Sequence, residues 1–193
     1  MVENISKFYD DACENSKYGW QASRWQSEDN QFERFVASAV SLLHSNCSIL
    51  DVGCGQGDFY DFIKSRYKGI EYKGIDVSKN MTLKAKEKHG NFENKDLLSF
   101  NESFDYVFAL GTFNLSVEGD QYDYLNNHIS KCFDCCKKAT VVVLTSECSE
   151  IKYERPIYYY SPRRVLDLAL NITQYLSINT ANLPSEIILS LYK

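Results

Sequence analysis

The residues best suited to chemistry sit where an apolar run meets a set of small residues. Ile49-Leu50-Asp51-Val52 is followed by Gly53, Gly55 and Gly57 at alternate positions, with Cys54 and Gln56 between them, and an amphipathic pattern opens at Asp58-Phe59. This order predicts a strand, a tight loop and a helix start, the device by which α/β proteins place a nucleotide-sized ligand at the carboxyl end of a sheet. The spacing reads G-x-G-x-G. Loops that cradle a dinucleotide favour G-x-G-x-x-G, whose amides take a pyrophosphate at the helix N-terminus. A tighter loop, with no room set aside for phosphates, suits a ligand that has an adenosine but no pyrophosphate.

S-adenosylmethionine meets that description. Asp76 lies 19 residues beyond Gly57 at the end of a second apolar run, where a carboxylate accepts hydrogen bonds from both hydroxyls of a ribose. The glycines let the backbone approach the methionyl part, because any Cβ would occupy that space. Taken singly, the same residues also read as a turn and as helix-capping aspartates. An NAD-linked oxidoreductase is disfavoured by the loop spacing.

These residues need an alternating scaffold, and the chain supplies one. Ser27 offers an N-cap to a helix running through about His44, with Phe32, Phe35, Val36, Ala39, Val40 and Leu43 on one side. Then come strand Ser48–Val52, helix Asp58–Tyr67, strand Tyr72–Asp76, helix Lys79–His89, short strand Phe92–Lys95, strand Phe104–Leu110, helix Gln121–Lys137 and strand Thr140–Thr145. Such alternation predicts parallel strands joined by right-handed helical crossovers. After a helix at Ser161–Asn171, the segments Gln174–Asn179 and Glu186–Tyr192 are separated too closely for a crossover, which leaves an antiparallel hairpin. Residues 1–26 carry Phe8, Tyr9, Tyr18, Trp20 and Trp25 without a clean period. They are expected to form an N-terminal arm or lid, with residues 27–193 as a single domain.

Size and composition narrow the setting. At 193 residues the chain fits one domain that needs no disulfide or metal staple. Its N-terminus lacks a basic segment followed by an apolar one, and no apolar run reaches the roughly 18 residues of a membrane span. The expectation is a soluble, cytoplasmic protein. Seven cysteines without a regular framework read as reduced thiols. His128, Cys132, Cys135 and Cys136 share a helix face, but one helix wraps a tetrahedral ion poorly, so no metal is expected. The formal charge of −5 and pI near 5.3 disfavour nucleic acid as a partner, and the clusters Lys79, Lys84, Lys86, Lys88 and Lys131, Lys137, Lys138 read as solvated helix faces.

The segments LDVGCGQGD and GIDVSKNM, together with five strand–helix units and a terminal hairpin, resemble the class I S-adenosylmethionine-dependent methyltransferases over Ser27–Lys193. WQSEDNQFERF, FDYVFALGTFNL and YYYSPRRVLDLAL further resemble a group of small bacterial methyltransferases. The resemblance implies a three-layer Rossmann-like α/β fold, with a seven-stranded mostly parallel sheet and an antiparallel C-terminal hairpin strand. It also implies a cofactor site. In that site Asp51 receives the cofactor's ammonium, Gly53, Cys54, Gly55 and Gly57 form the loop, and Asp76 with Val77 holds the ribose. Asp96 meets the adenine amino group beside Leu97, and Leu110 with Gly111 lies beside the sulfonium. Trp25 and Arg34 adjoin the methionyl end, where Arg34 either binds a carboxylate or is a surface arginine in an aromatic staple.

Methyl transfer from a sulfonium is an in-line displacement, and the protein mainly aligns and desolvates the nucleophile. Candidate bases are His128, Glu147 and Tyr158, Tyr159 and Tyr160; each has a packing or surface alternative, and none is assigned as catalytic. After the fourth strand the sequence Leu110-Gly111-Thr112-Phe113-Asn114 lacks the N/D-P-P-aromatic loop usual for nucleobase amino acceptors. The paired acids of protein arginine enzymes and the oxygen-ligand cluster of metal-dependent catechol enzymes are not evident either. The expectation is therefore a small-molecule acceptor, enclosed by Tyr9, Tyr18, Trp20, Asn114 and Tyr159. The alternatives are a non-catalytic cofactor-binding module, or an acceptor that is protein or nucleic acid.

Overall fold

A computed structural model describes residues 2–150, 152 and 156–193. The strands form a seven-stranded sheet, and the chain divides into two compact units, Met1–Asn101 and Glu102–Lys193.

In the first unit, helices α1 (Val2–Glu14), α2 (Gly19–Ala22) and α3 (Glu28–Ala39) precede β1 (Ser48–Val52), α4 (Asp58–Arg66), β2 (Glu71–Asp76), α5 (Lys79–Lys86) and β3 (Phe92–Asn94). The strands β1 and β2 pair in parallel from Ser48 opposite Glu71 to Val52 opposite Ile75, and β3 joins β2 in parallel from Gly74 opposite Phe92. Ile49, Leu50 and Ile75 are fully enclosed, as expected for parallel strands covered on both faces. On α4 the apolar residues Phe59, Phe62 and Ile63 turn inward, and Phe35 of α3 packs on Phe59 and Phe62 at ring separations of 5.1 and 5.5 Å.

The second unit carries β4 (Phe104–Leu110), α6 (Gln121–Cys135), β5 (Cys136–Thr145), α7 (Pro162–Leu170), β6 (Leu176–Asn179) and β7 (Glu186–Tyr192). Here β4 and β5 are parallel, while β7 runs antiparallel to both β5 and β6. The C-terminal hairpin is therefore present, and its closing strand is the one that runs against the rest. Asp120 caps α6 by accepting from the amides of Tyr122 and Asp123 at 2.7 and 3.0 Å, and Pro162 opens α7 at a position where its missing N–H costs nothing.

Three local expectations change. Helix α3 stops at Ala39, and its buried face is Gln31, Arg34, Phe35, Ser38 and Ala39. Phe32, Val36 and Val40 are 43%, 38% and 49% exposed, because the buried stripe is rotated by one residue and takes three polar side chains, Gln31, Arg34 and Ser38, inward. The N-terminal arm is helical over most of its length, with Ala12 and Cys13 enclosed. Finally, β5 starts at Cys136 rather than Thr140, so Cys136 belongs to a strand and not to the helix face of His128 and Cys132.

Candidate functional site

The loop after β1 turns back onto the end of β2. The amides of Gly53 and Cys54 both donate to the Ile75 carbonyl, at 2.8 and 3.1 Å, and Gly57 N–H donates to Cys54 O at 2.9 Å. Gly53, Gly55 and Gly57 all have left-handed φ values of 72°, 53° and 79°, a region open to glycine at little cost. At Gly57 a Cβ would also stand 2.8 Å from the Phe92 ring. The reason for glycine at alternate positions is thus backbone conformation throughout, with close packing added at Gly57 and at Gly55, where a Cβ would stand 2.9 Å from Ser23 Oγ.

Asp76 closes this loop from below. Its Oδ2 accepts from Gly55 N–H at 2.9 Å and its Oδ1 from Ser78 N–H at 2.8 Å. Burial pushes its carboxyl up to about 6, opposed by the hydrogen bonds from the amides of Ser78 and Gly55. The adjoining carbonyl of Val77 accepts from Asn94 Nδ2 and from Ser6 Oγ. Asp51, on β1, is 3% exposed and accepts from the hydroxyl of Tyr72 on β2. Burial raises its carboxyl to about 7, the bond from Tyr72 opposing and the charges of Asp76 and Asp58 reinforcing the rise. Burial likewise carries the Cys54 thiol well above its ordinary range, so it is an inert packing group.

Helix α1 docks on this same junction. Asp10 accepts from Ser78 Oγ at 2.6 Å and from Asn80 N–H at 2.9 Å, and Ser6 Oγ reaches the Val77 carbonyl at 3.0 Å. Gln56 of the glycine loop donates to Cys13 Sγ at 3.4 Å. Tyr9 packs with Cys13, Ala22 and Met81. None of Asp10, Ser6 and Tyr72 was singled out in the sequence. The i, i+4 pair Ser6 and Asp10 is visible there once α1 is taken as a helix, whereas Tyr72 meets Asp51 only through the strand register.

The remaining expected site residues fall in several places. Arg34 is 5% exposed, with its guanidinium 4.4 Å from the Trp25 ring centre and a bond to the Asn30 carbonyl; it is buried rather than on the surface, and its stacking on Trp25 is the aromatic staple of the second reading. Asp96 caps the turn Leu97–Ser99 by accepting from Leu98 N–H at 3.1 Å, and Leu97 is buried. Tyr18 and Trp20 stack with ring centres 6.3 Å apart and, with Phe32 and Phe62, line a cavity of about 380 Å³ between α2, α3 and α4.

In the second unit, Leu110 ends β4 and Gly111 follows with φ 80°. Asn114 is buried, its Oδ1 accepting from Thr145 N–H at 2.9 Å. Tyr159 lies under the ammonium of Lys152, 4.0 Å from the ring centre. Among the candidate bases, Tyr160 is fully buried, donates to Phe113 O at 2.6 Å and accepts from Gln121 Nε2 at 2.7 Å. Burial raises its hydroxyl far above the ordinary tyrosine value, so it is a packing tyrosine. His128 is also buried rather than on the helix surface, with Nδ1 2.7 Å from the Tyr124 carbonyl.

Comparison with known proteins agrees with this geometry. A family described as a methyltransferase domain matches residues 49–137. A protein of Mycobacterium tuberculosis named "Putative methyltransferase Rv1506c" is 30% identical over 129 residues, 63% of this chain and 77% of that protein. Magnesium protoporphyrin IX methyltransferase from Synechocystis PCC 6803, solved with bound S-adenosylmethionine, superposes with a TM-score of 0.68 at 13% identity, covering 100% of this chain and 96% of that one. Phosphoethanolamine N-methyltransferase 2 from Haemonchus contortus gives 0.68 at 13% identity over 92% of this chain and 45% of that one. The chain belongs to this methyltransferase family and has the fold of the class I S-adenosylmethionine-dependent methyltransferases.

Proposed function

We propose that this enzyme methylates a small-molecule acceptor, with the cofactor held in the first unit by the loop after β1, Asp51 and Asp76. The observation that carries the reading is the 2.9 Å bond from Gly55 N–H to Asp76 Oδ2, which fastens the glycine loop to a strand-end carboxylate. The residues fit S-adenosylmethionine. The Asp76 oxygens take the amides of Ser78, Gly55 and Val77 and keep acceptor capacity for a ribose hydroxyl, the left-handed glycines expose loop backbone without a Cβ, and Asp51 supplies a buried acceptor for an ammonium.

When bound, the cofactor supplies an activated methyl on a sulfonium. The protein's part is positional. Asp76 would hold the sugar, the loop the methionyl backbone and Asp51 its amino end, and holding all three parts would present the methyl to an acceptor in one orientation. Support for a small acceptor comes from the net charge of −5 without a basic stripe. The named acceptors of structural neighbours, a magnesium protoporphyrin and a phosphomonomethylethanolamine, are also small.

The test incubates the enzyme with methyl-labelled S-adenosylmethionine and a cell extract, then separates low-mass from macromolecular products. Label in the low-mass fraction, lost with Asp76→Ala, is expected. Asp76→Ala should bind the cofactor roughly 10- to 100-fold more weakly by calorimetry, a charge-assisted bond to the ribose being removed. Label confined to macromolecules overturns the acceptor, and unchanged binding removes Asp76 from the site.

A further inference from the structure

Asp51 is held by a side chain that the loop motif does not contain. Tyr72 stands opposite Ile49 in the β1–β2 register, and Ile49 and Asp51 share a face of β1, so the phenol reaches diagonally along one face to the carboxylate. Directly opposite Asp51 is Gly74, where a Cβ would strike the Phe92 ring at 2.6 Å and Cys54 at 2.9 Å. Tyr72 is itself fixed between Tyr60 and Phe92, at ring separations of 5.1 and 5.9 Å. The phenol therefore has little freedom to leave Asp51.

The ionisable groups acting on Asp51 are all acids. From β2 they are Tyr72 and Asp76, from the loop Cys54, and from α4 Asp58. Asp58 is ion-paired with Lys88 at 2.9 Å. Burial and the neighbouring carboxylates favour a protonated Asp51, and the hydrogen bond from Tyr72 opposes them. We infer that Tyr72 is a positioning residue for the cofactor: its hydroxyl orients the Asp51 carboxylate and preserves the charged form that receives the cofactor's ammonium. This rests on the cofactor placement proposed above.

Cofactor binding then requires Asp51 to lose its proton, so affinity is constant above about pH 7 and falls below it by up to about tenfold per pH unit, more steeply below about 6, where Asp76 also takes a proton. Removing the Tyr72 hydroxyl raises the Asp51 carboxyl further, and the midpoint moves to higher pH. The experiment is calorimetric titration of S-adenosylmethionine from pH 5.5 to 9 into the wild type, Tyr72→Phe and Asp51→Asn, with circular dichroism confirming that each is folded. Tyr72→Phe should bind several-fold more weakly at pH 7 and recover towards pH 9. Asp51→Asn should bind weakly with no midpoint near 7. A wild-type affinity that does not change across this range overturns the inference while leaving the cofactor reading intact, as does a Tyr72→Phe profile superimposable on the wild type's. Should Tyr72→Phe fail to fold, a midpoint near 7 that Asp51→Asn retains has the same consequence. Absence of binding at every pH overturns the cofactor reading itself.

Discussion

At the scale of single residues, two buried carboxyls set how the cofactor-free protein responds to acid. Asp51 titrates near 7 and Asp76 near 6 when folded, against 3.8 in an open chain. Because these values are raised, the folded state holds protons that the unfolded chain has released, and stability falls as pH rises through about 4 to 7 and levels off above. Each group contributes a slope of up to about 1.4 kcal/mol per pH unit within its window. Urea unfolding at pH 5 and pH 7.5 should therefore give a smaller pH-dependent loss in Asp51→Asn than in the wild type; equal losses would show that Asp51 is already ionised at pH 5. The two acids were legible in the sequence as strand-end residues. Tyr72 was not, since a tyrosine inside a strand is ordinary packing until the register puts it diagonally across from Asp51.

Among the elements, α1 has the most to explain. An aromatic-rich segment read as aperiodic forms a 13-residue helix: Ile5, Phe8, Tyr9, Ala12 and Cys13 recur at the i, i+3, i+4, i+7, i+8 spacing of an apolar helix face, and the unpatterned aromatics Tyr18, Trp20 and Trp25 that follow obscured it. Its anchorage is polar: Asp10 bonds Ser78, the N-cap of α5, and the amide of Asn80. Asp10→Ala leaves that helix start short of an acceptor and frees α1 to open locally. Hydrogen exchange over residues 3–14 should accelerate roughly tenfold or more, while β1 and β2 keep their protection; unchanged exchange in α1 would show that apolar contacts alone hold it. Helix α3 teaches the complementary point. Its periodicity was readable, but which residues face inward was decided by Gln31 bonding Asp58 at 3.1 Å and Arg34 lying over Trp25.

For the molecule as a whole, the mostly parallel sheet depends on a terminal strand running the other way. Leu189 on β7 is fully buried and lies opposite Val142 of β5 and Ile178 of β6. Leu189→Ala should cost about 2–5 kcal/mol, a fall of roughly 4–20 °C in melting temperature for a chain of this size. A shift under 2 °C by calorimetry would mean that the hairpin contributes little to the cooperative core. Among the described residues no helix is long and apolar enough to cross a membrane.

The sequence by itself determined the alternation of strands and helices, the hairpin, the glycine loop and the acids at the ends of β1 and β2. Those are local properties, fixed by periodicity, by φ values that glycine alone takes cheaply, and by the short distance between the last two strands. Only the tertiary structure decided which side chains meet across elements. It put Tyr72 on Asp51, Gly55 on Asp76 and Asp10 on Ser78, buried Arg34 against Trp25, and spent the hydroxyl of Tyr160 on packing. Such pairings depend on register and on helix rotation, where a shift of one residue turns a side chain to the other face. A single sequence carries that information only in the sum of all its contacts.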